Sequence, residues 1–243
     1  MRYAILGDIH ANLGALEAVL AAIEREGADA IVSVGDVVGY GAAPREVIQL
    51  IRELGIPVVK GNHDAACVGE LDLAYFNPYA REAVEWTASV LDAADRRWLE
   101  ELPLVTTLEH CQVSHGTLAH PERFDYVQCT DDAEPSLDEM ARPVCFVGHT
   151  HVPVVILRLA ELARTAYTLD HDVDLTSARR ALINVGSVGQ PRDEDCNAAY
   201  GMYDSDRRHY WLSRVQYDIA SEAARIRAAG LPDVLADRLF LGV

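Results

Sequence analysis

Residues 2–10 read Arg2-Tyr3-Ala4-Ile5-Leu6-Gly7-Asp8-Ile9-His10, an apolar strand that runs through a glycine into a polar cluster. The reading decides the fold because the pattern recurs. Ala30 to Val34 is a second apolar strand and ends at Gly35-Asp36; Ile56 to Val59 is a third and leads to Gly61-Asn62-His63-Asp64. Between the first two, Asn12 caps a helix with Leu13, Leu16, Val19, Leu20 and Ile23 on one face, and Gly27 stops it. Between the second and third, Pro44 opens a helix with Val47, Leu50, Ile51 and Leu54 at helical spacing, stopped by Gly55. This βαβαβ order implies a parallel sheet with crossover helices.

Further along, Asn77-Pro78 starts a helix carrying Ala83, Val84, Thr87, Val90 and Leu91 on one face, and Asp92 to Leu102 reads as a short helix. From Val105 the texture is mainly β: Val105 to Ser114, Val144 to Val147, Val152 to Leu157, Ala181 to Asn184 and Ala198 to Tyr203. A turn at Tyr203 to Arg207 leads into Tyr210 to Val215, and a last helix spans about Ala220 to Ala229. The acidic stretch Asp170-His171-Asp172-Val173-Asp174 reads as a solvated hairpin. There is no internal repeat and no Pro/Gly-rich linker, so residues 1–243 are expected to form one domain, with a helical insert at about 71–102.

Half of the 243 residues are apolar and 24% are charged, with a formal net charge of −17. That field repels nucleic-acid backbones and anionic lipid, so neither nucleic acid nor membrane is expected as a partner. An anionic substrate needs local positive charge to override it, which bound metal ions supply. No apolar run approaches the ~20 residues needed to cross a bilayer. The N-terminal stretch is too short to be a signal peptide, so a cytoplasmic location is expected. Five cysteines, an odd number without a CxxC pair, argue against a disulfide framework or a thiolate zinc site.

Two more segments repeat the strand-to-polar pattern: Ser114-His115-Gly116 and Gly148-His149-Thr150-His151. Ligand sites in open α/β sheets collect at the carboxyl ends of strands, where glycine permits sharp turns and close approach. The five segments are therefore expected to converge on one spot. They bring carboxylate, amide oxygen and imidazole without thiolate, a set that suits manganese, iron, cobalt, nickel or zinc and disfavours calcium or copper(I). Pairs two residues apart, Asp8/His10 and His149/His151, put both side chains on one side of an extended segment.

Taken in order, Asp-x-His, Gly-Asp, Gly-Asn-His-Asp, a single His and Gly-His-x-His resemble the signature of the calcineurin-like metallophosphoesterases, in a branch of small bacterial phosphoesterases similar to diadenosine tetraphosphatases. The resemblance spans residues 7–151 and extends to Asn184-Val185-Gly186-Ser187. It implies a four-layer α-β-β-α sandwich with two mixed β-sheets. It implies two divalent ions, manganese first and iron, zinc, nickel or cobalt otherwise, with Asp8, His10, Asp36 and His151 on one and Asp36, Asn62, His115 and His149 on the other. The nucleophile implied is a water or hydroxide held between them. His63 faces the leaving group in this reading, with Asp64 orienting its imidazole. The run Gly39-Tyr40 stands where phosphoprotein phosphatases carry Asp-Arg, which argues against protein-phosphatase activity. Arg192 and His120 are candidate substrate contacts. The substrate is expected to be a small phosphorylated molecule such as a nucleotide: a cyclic nucleotide, a dinucleoside polyphosphate or a phosphomonoester. The alternative is a non-catalytic adaptor on the same fold, against which the retained His63 argues.

Overall fold

A computed structural model of the chain describes residues 1–159 and 165–243. Its strands form two mixed sheets. In the first, β1 (Arg2–Leu6) lies between β2 (Ala30–Ser33), which is parallel to it, and β10 (Ala198–Asp204), which is antiparallel; β11 (His209–Val215) and β8 (Asp172–Asp174) extend the sheet beyond β10. The second has the order β3 (Val105–Thr107), β4 (Cys111–Ser114), β5 (Val144–Val147), β9 (Ala178–Asn184), β6 (Val154–Leu159), β7 (Thr165–Thr168). Its central trio, β4, β5 and β9, is parallel.

Strand parity assigns each residue to a layer. Tyr3 and Ile5 of β1 meet Val144 and Phe146 of β5 in the core between the sheets. Ala4 and Leu6, one residue out of phase, face outward onto α1 (Leu13–Glu26), α2 (Pro44–Glu53) and α7 (Ile219–Ala228), which cover the first sheet with Leu16, Val19, Val47, Ile51 and Ile226. Cys145 and Val147 face the other way, onto Ala133 and Leu137 of α6 (Thr130–Glu139). The result is the expected helix–sheet–sheet–helix sandwich. Among the described residues no helix is long and apolar enough to cross a membrane.

The structure departs from the sequence reading in four places. The expected third strand, Ile56 to Val59, makes one bridge only, Ser33 to Val58; Pro57 lacks the N–H that a ladder needs. The run Val105 to Ser114 is a hairpin, β3 and β4, closed by Leu108 N–H donating to the Cys111 carbonyl at 2.8 Å. The stretch around His171 is not a free hairpin: β8 crosses to the first sheet and pairs with β11. Helix α6 lay hidden in a region read as β, because Pro135 and its acidic residues mask the apolar period. The stretch 71–102 holds a 3-10 turn (Leu73–Tyr75), α4 (Pro78–Val90) and α5 (Ala93–Glu100), preceded by α3 (Asn62–Cys67).

Phe146 is fully buried between the sheets, against Tyr203 and Tyr210. Phe146→Ala is expected to lower unfolding free energy by about 3–5 kcal/mol, the range for a large buried aromatic, measured by urea denaturation.

Candidate metal centre

Four strands end at the same place. Asp8 follows β1, Asp36 follows β2, His115 follows β4 and His149 follows β5, and Asn62 opens α3 beside them. The backbone turns there through left-handed conformations that side chains other than glycine adopt at a cost of about 1–3 kcal/mol each. Asp8, His10, Ala11, Asp36, Tyr40, His149 and His151 all have positive φ. The x-His pairs therefore do not sit on extended segments. Instead, His149 and His151 diverge into different groups of side chains, whereas Asp8 and His10 share one.

Those groups share one carboxylate. Donor atoms of Asp8, His10, Asp36 and His151 lie within 4.8 Å of one another, and so do those of Asp36, His115 and His149. Asp36 Oδ2 is 3.6 Å from His10 Nε2 and 3.4 Å from His115 Nε2. Asn62 Oδ1, which joins the second group, is 3.1 Å from His115 Nε2.

The proton inventory shows what these groups fit. His10 Nδ1 donates to the Val38 carbonyl, His151 Nδ1 to the Gln190 carbonyl and His115 Nδ1 to the Val34 carbonyl. A neutral ring that donates through Nδ1 presents a bare lone pair at Nε2. Yet His10 Nε2 and His151 Nε2 face each other at 3.0 Å, and His115 Nε2 faces His149 Nδ1 at 3.1 Å and the Asn62 oxygen. The His10 and His151 lone pairs repel at that distance unless a cation lies between them, whereas His115 and His149 can share a proton. Asp8 Oδ2 is likewise buried with no hydrogen-bond partner among the described residues. A backbone carbonyl that accepts from one ring nitrogen of a metal-binding imidazole fixes the tautomer in this way. Oxygen and imidazole without sulfur match divalent transition metals.

The electrostatics agree. Burial raises the Asp8 carboxyl to about 7 and lowers the His149 imidazole to about 3. Burial also opposes charge on His115, but the Asp36 carboxylate overrides it and raises that imidazole to about 9. A bound dication reverses such balances, ionising the carboxylates and keeping the imidazoles neutral.

A second set of contacts holds the loops in place. Asn184 at the end of β9 donates to the Gly148 carbonyl at 2.5 Å, and Ser187 Oγ donates to the Asp8 carbonyl at 2.7 Å. His149 N–H donates to Asp8 Oδ1 and His63 N–H to Asp36 Oδ1, each at 2.9 Å. Asn12, the N-cap of α1, reaches back to the Gly189 carbonyl at 2.9 Å.

Asp64 does not orient His63. One of its oxygens accepts from the Val37 and Val38 N–H groups, at 2.9 and 3.2 Å, and the other from Gly61 N–H at 3.0 Å. It thus caps α3 and pins the turn that carries Asp36, with its carboxyl raised to about 7 by burial and by Asp36. His63 Nδ1 has no hydrogen-bond partner among the described residues. Its imidazole, lowered to about 4 by burial, is held by packing on Tyr40, Phe76 and His10, with ring centroids 4.4, 5.0 and 4.8 Å away. His120 is exposed, with its ring 3.7 Å from Glu122. Arg192 sits at the centre's edge: its N–H donates to the His151 carbonyl, and its guanidinium donates to Tyr40 Oη at 3.3 Å and lies 5.7 Å from that ring. Tyr126, stacked on His149 at 3.8 Å, was not signalled by any pattern in the sequence.

Over residues 1–208 the chain matches the model of the calcineurin-like phosphoesterase superfamily domain. A metallophosphoesterase structure from Sphaerobacter thermophilus is similar along the whole length: 42% identical, covering 100% of this chain and 99% of that one, with a TM-score of 0.87. An uncharacterized protein of Methanocaldococcus jannaschii is 38% identical over 98% of this chain and 97% of its own. Phosphodiesterase YfcE of Escherichia coli K12 is 27% identical over 85% of this chain and 89% of its own.

Gly61 has no room for a side chain: a Cβ there would lie 2.1 Å from Asp36 Oδ1. Gly61→Ala is expected to displace the shared carboxylate and weaken binding of divalent metal by at least about tenfold (~1.4 kcal/mol). Calorimetric titration of the metal-stripped variant measures it, with circular dichroism as the check on folding.

Proposed function

The chain belongs to the calcineurin-like phosphoesterase superfamily and is a phosphate-ester hydrolase, and we propose that Asp8, His10, Asp36 and His151 hold one divalent ion while Asp36, Asn62, His115 and His149 hold a second. The observation that carries this reading is the position of Asp36 Oδ2 between His10 Nε2, which opposes the bare His151 Nε2, and His115 Nε2, which faces His149 Nδ1 and Asn62 Oδ1. Manganese fits the donor set best, with iron, zinc, nickel and cobalt as its chemical neighbours. When bound, such ions supply Lewis-acid charge to the phosphate and lower the pKa of water toward neutrality.

The chain's own groups do the rest. Arg192 holds its guanidinium at the mouth of the centre and orients a phosphate oxygen. It comes from the loop after β9 and rests on Tyr40, so Gly39-Tyr40 supports an arginine from elsewhere instead of supplying one. Gly39 also leaves space for His63: a Cβ there would lie 2.3 Å from His63 Nδ1. His63, outside both groups of ligands, donates a proton to the leaving oxygen; burial lowers its imidazole to about 4, so the bound phosphate's negative charge must raise it for that step. Asp64 acts at one remove, through the turn that carries Asp36. Exposed His120 has no part in the chemistry. The complete donor set leaves the adaptor alternative without support.

Three outcomes are expected. Turnover of an aryl phosphate ends on exhaustive chelation and returns best with manganese, whereas calcium, which prefers all-oxygen sites with more ligands, restores little; full activity in protein shown to be metal-free would sink the reading. Asp36→Asn loses both metals, by elemental analysis, and all turnover; a variant retaining both metals and near-normal activity is incompatible with a shared carboxylate. His63→Gln keeps both metals and loses about 10²–10⁴-fold on alkyl esters, the usual worth of general acid catalysis, but less on nitrophenyl esters, whose leaving group departs unprotonated. Equal losses on both would assign His63 to charge stabilisation.

A further inference from the structure

Two cavities open on either side of Tyr126. The larger, about 700 Å³, is lined by Tyr126, Val152, Val154, Ile156, Tyr167 and Arg192 among others. The smaller, about 530 Å³, reaches the metal centre directly through Asn62 and His149. Both volumes lie in the range of small-molecule sites, roughly 300–1,000 Å³. Tyr126 belongs to both walls, and its ring lies on that of His149 at an interplanar angle of 17°. Arg192 joins the larger cavity to the centre, since its N–H bonds the His151 carbonyl. A phosphate at the metals therefore has one substituent path into each cavity.

The walls state what those substituents are. Among the described residues lining the larger cavity the one charged side chain is Arg192; the rest are uncharged and mostly apolar, and Tyr167 and Leu169 stand 66% and 63% exposed. Unpartnered aromatic and aliphatic surface beside a site of chemistry favours a flat apolar group. The smaller cavity carries Glu122 and Asp125, and its one arginine, Arg123, is already paired with Asp125 at 3.0 Å. Among the described residues a second phosphate has no free cation to meet in the smaller cavity, and in the larger one Arg192 serves the first. The net charge of −17 adds to that exclusion.

We propose that the cleft between Tyr126 and Tyr167 is the subsite for an uncharged aromatic substituent of the scissile phosphate, and that the preferred substrate is a phosphodiester with an uncharged group on each side. The inference rests on the metal-centred hydrolysis proposed above. It disfavours the dinucleoside polyphosphates considered from the sequence, because among the described residues their extra phosphates would meet no free cation in either cavity.

The test compares bis(4-nitrophenyl) phosphate, 4-nitrophenyl phosphate and diadenosine tetraphosphate with manganese-loaded protein. The diester is expected to have the highest kcat/KM, by about tenfold over either competitor, given a filled apolar pocket. Tyr167→Ala, at an exposed position on β7, should raise KM for the diester about fivefold, and more than for the monoester. A second readout does not depend on turnover: saturation transfer from the protein to 4-nitrobenzyl alcohol, a neutral aryl probe, should be seen in the wild type and fall in Tyr167→Ala. If the monoester or the tetraphosphate is preferred, or if Tyr167→Ala affects all three alike, the subsite is wrong while the hydrolytic reading stands. If manganese-loaded protein turns over none of the three, the hydrolytic reading fails and this inference falls with it.

Discussion

The structure depends on one electrostatic constraint: buried acceptors drawn together with too few protons to share. Asp8, Asp36 and the four imidazoles are almost wholly excluded from water. Bringing carboxylates and bare ring nitrogens to within about 3–4 Å in a medium of low effective dielectric is unfavourable unless positive charge lies among them. Hydrogen bonds to the Val34, Val38 and Gln190 carbonyls determine which ring nitrogens are bare. The same atoms thereby make the site costly as protein alone and favourable as a cage for cations.

Much of the surrounding architecture is explained as support for that cage. Like groups that repel are held together only if the backbone cannot relax, and the relevant backbone is tightly determined. Gly7 abuts the Gly186 carbonyl, Gly148 abuts the Asp8 carboxylate, and Gly61 abuts that of Asp36, each at a distance where a Cβ would collide. Asn184 and Ser187, at and just beyond the carboxyl end of β9 beside β5, tie the Gly148 loop and the Asp8 loop together. Asp64 does the same for the loops carrying Asp36 and Asn62. The two sheets thus meet at their carboxyl ends through loop contacts, and the left-handed residues there are held by bonds from both sides.

Around this polar centre the walls are aromatic. Tyr40 and Phe76 enclose His63, and Tyr126 covers His149. Such walls exclude water and strengthen every charge interaction inside. They also account for an apparent contradiction, a chain of net charge −17 acting on anions. In the proposed reading the attraction is local, confined to the metal centre and Arg192.

Residue type and local pattern were enough, in the sequence alone, to find the layers and the chemistry. Val144 to Val147 was legible as a buried strand because all its residues are apolar, and α1 because Asn12 and Gly27 mark its ends. The donor atoms at Asp8, His10, Asp36, Asn62, His115, His149 and His151 were legible because metal-binding chemistry belongs to the side chain itself. What only the tertiary structure decided is where those side chains point. His149 and His151 diverge because each takes a left-handed φ, and that conformation is imposed by contacts with Asp8 and the loop after β9, more than thirty residues away. Asp64 bonds backbone amides of another loop instead of its neighbour His63, and no spacing rule reports that. Tyr126 and α6 are defined by surfaces contributed from β5, β6 and β9, so their roles are absent from their own stretch of sequence. Local physics sets what each residue can do, and the long-range packing of two sheets sets what it meets.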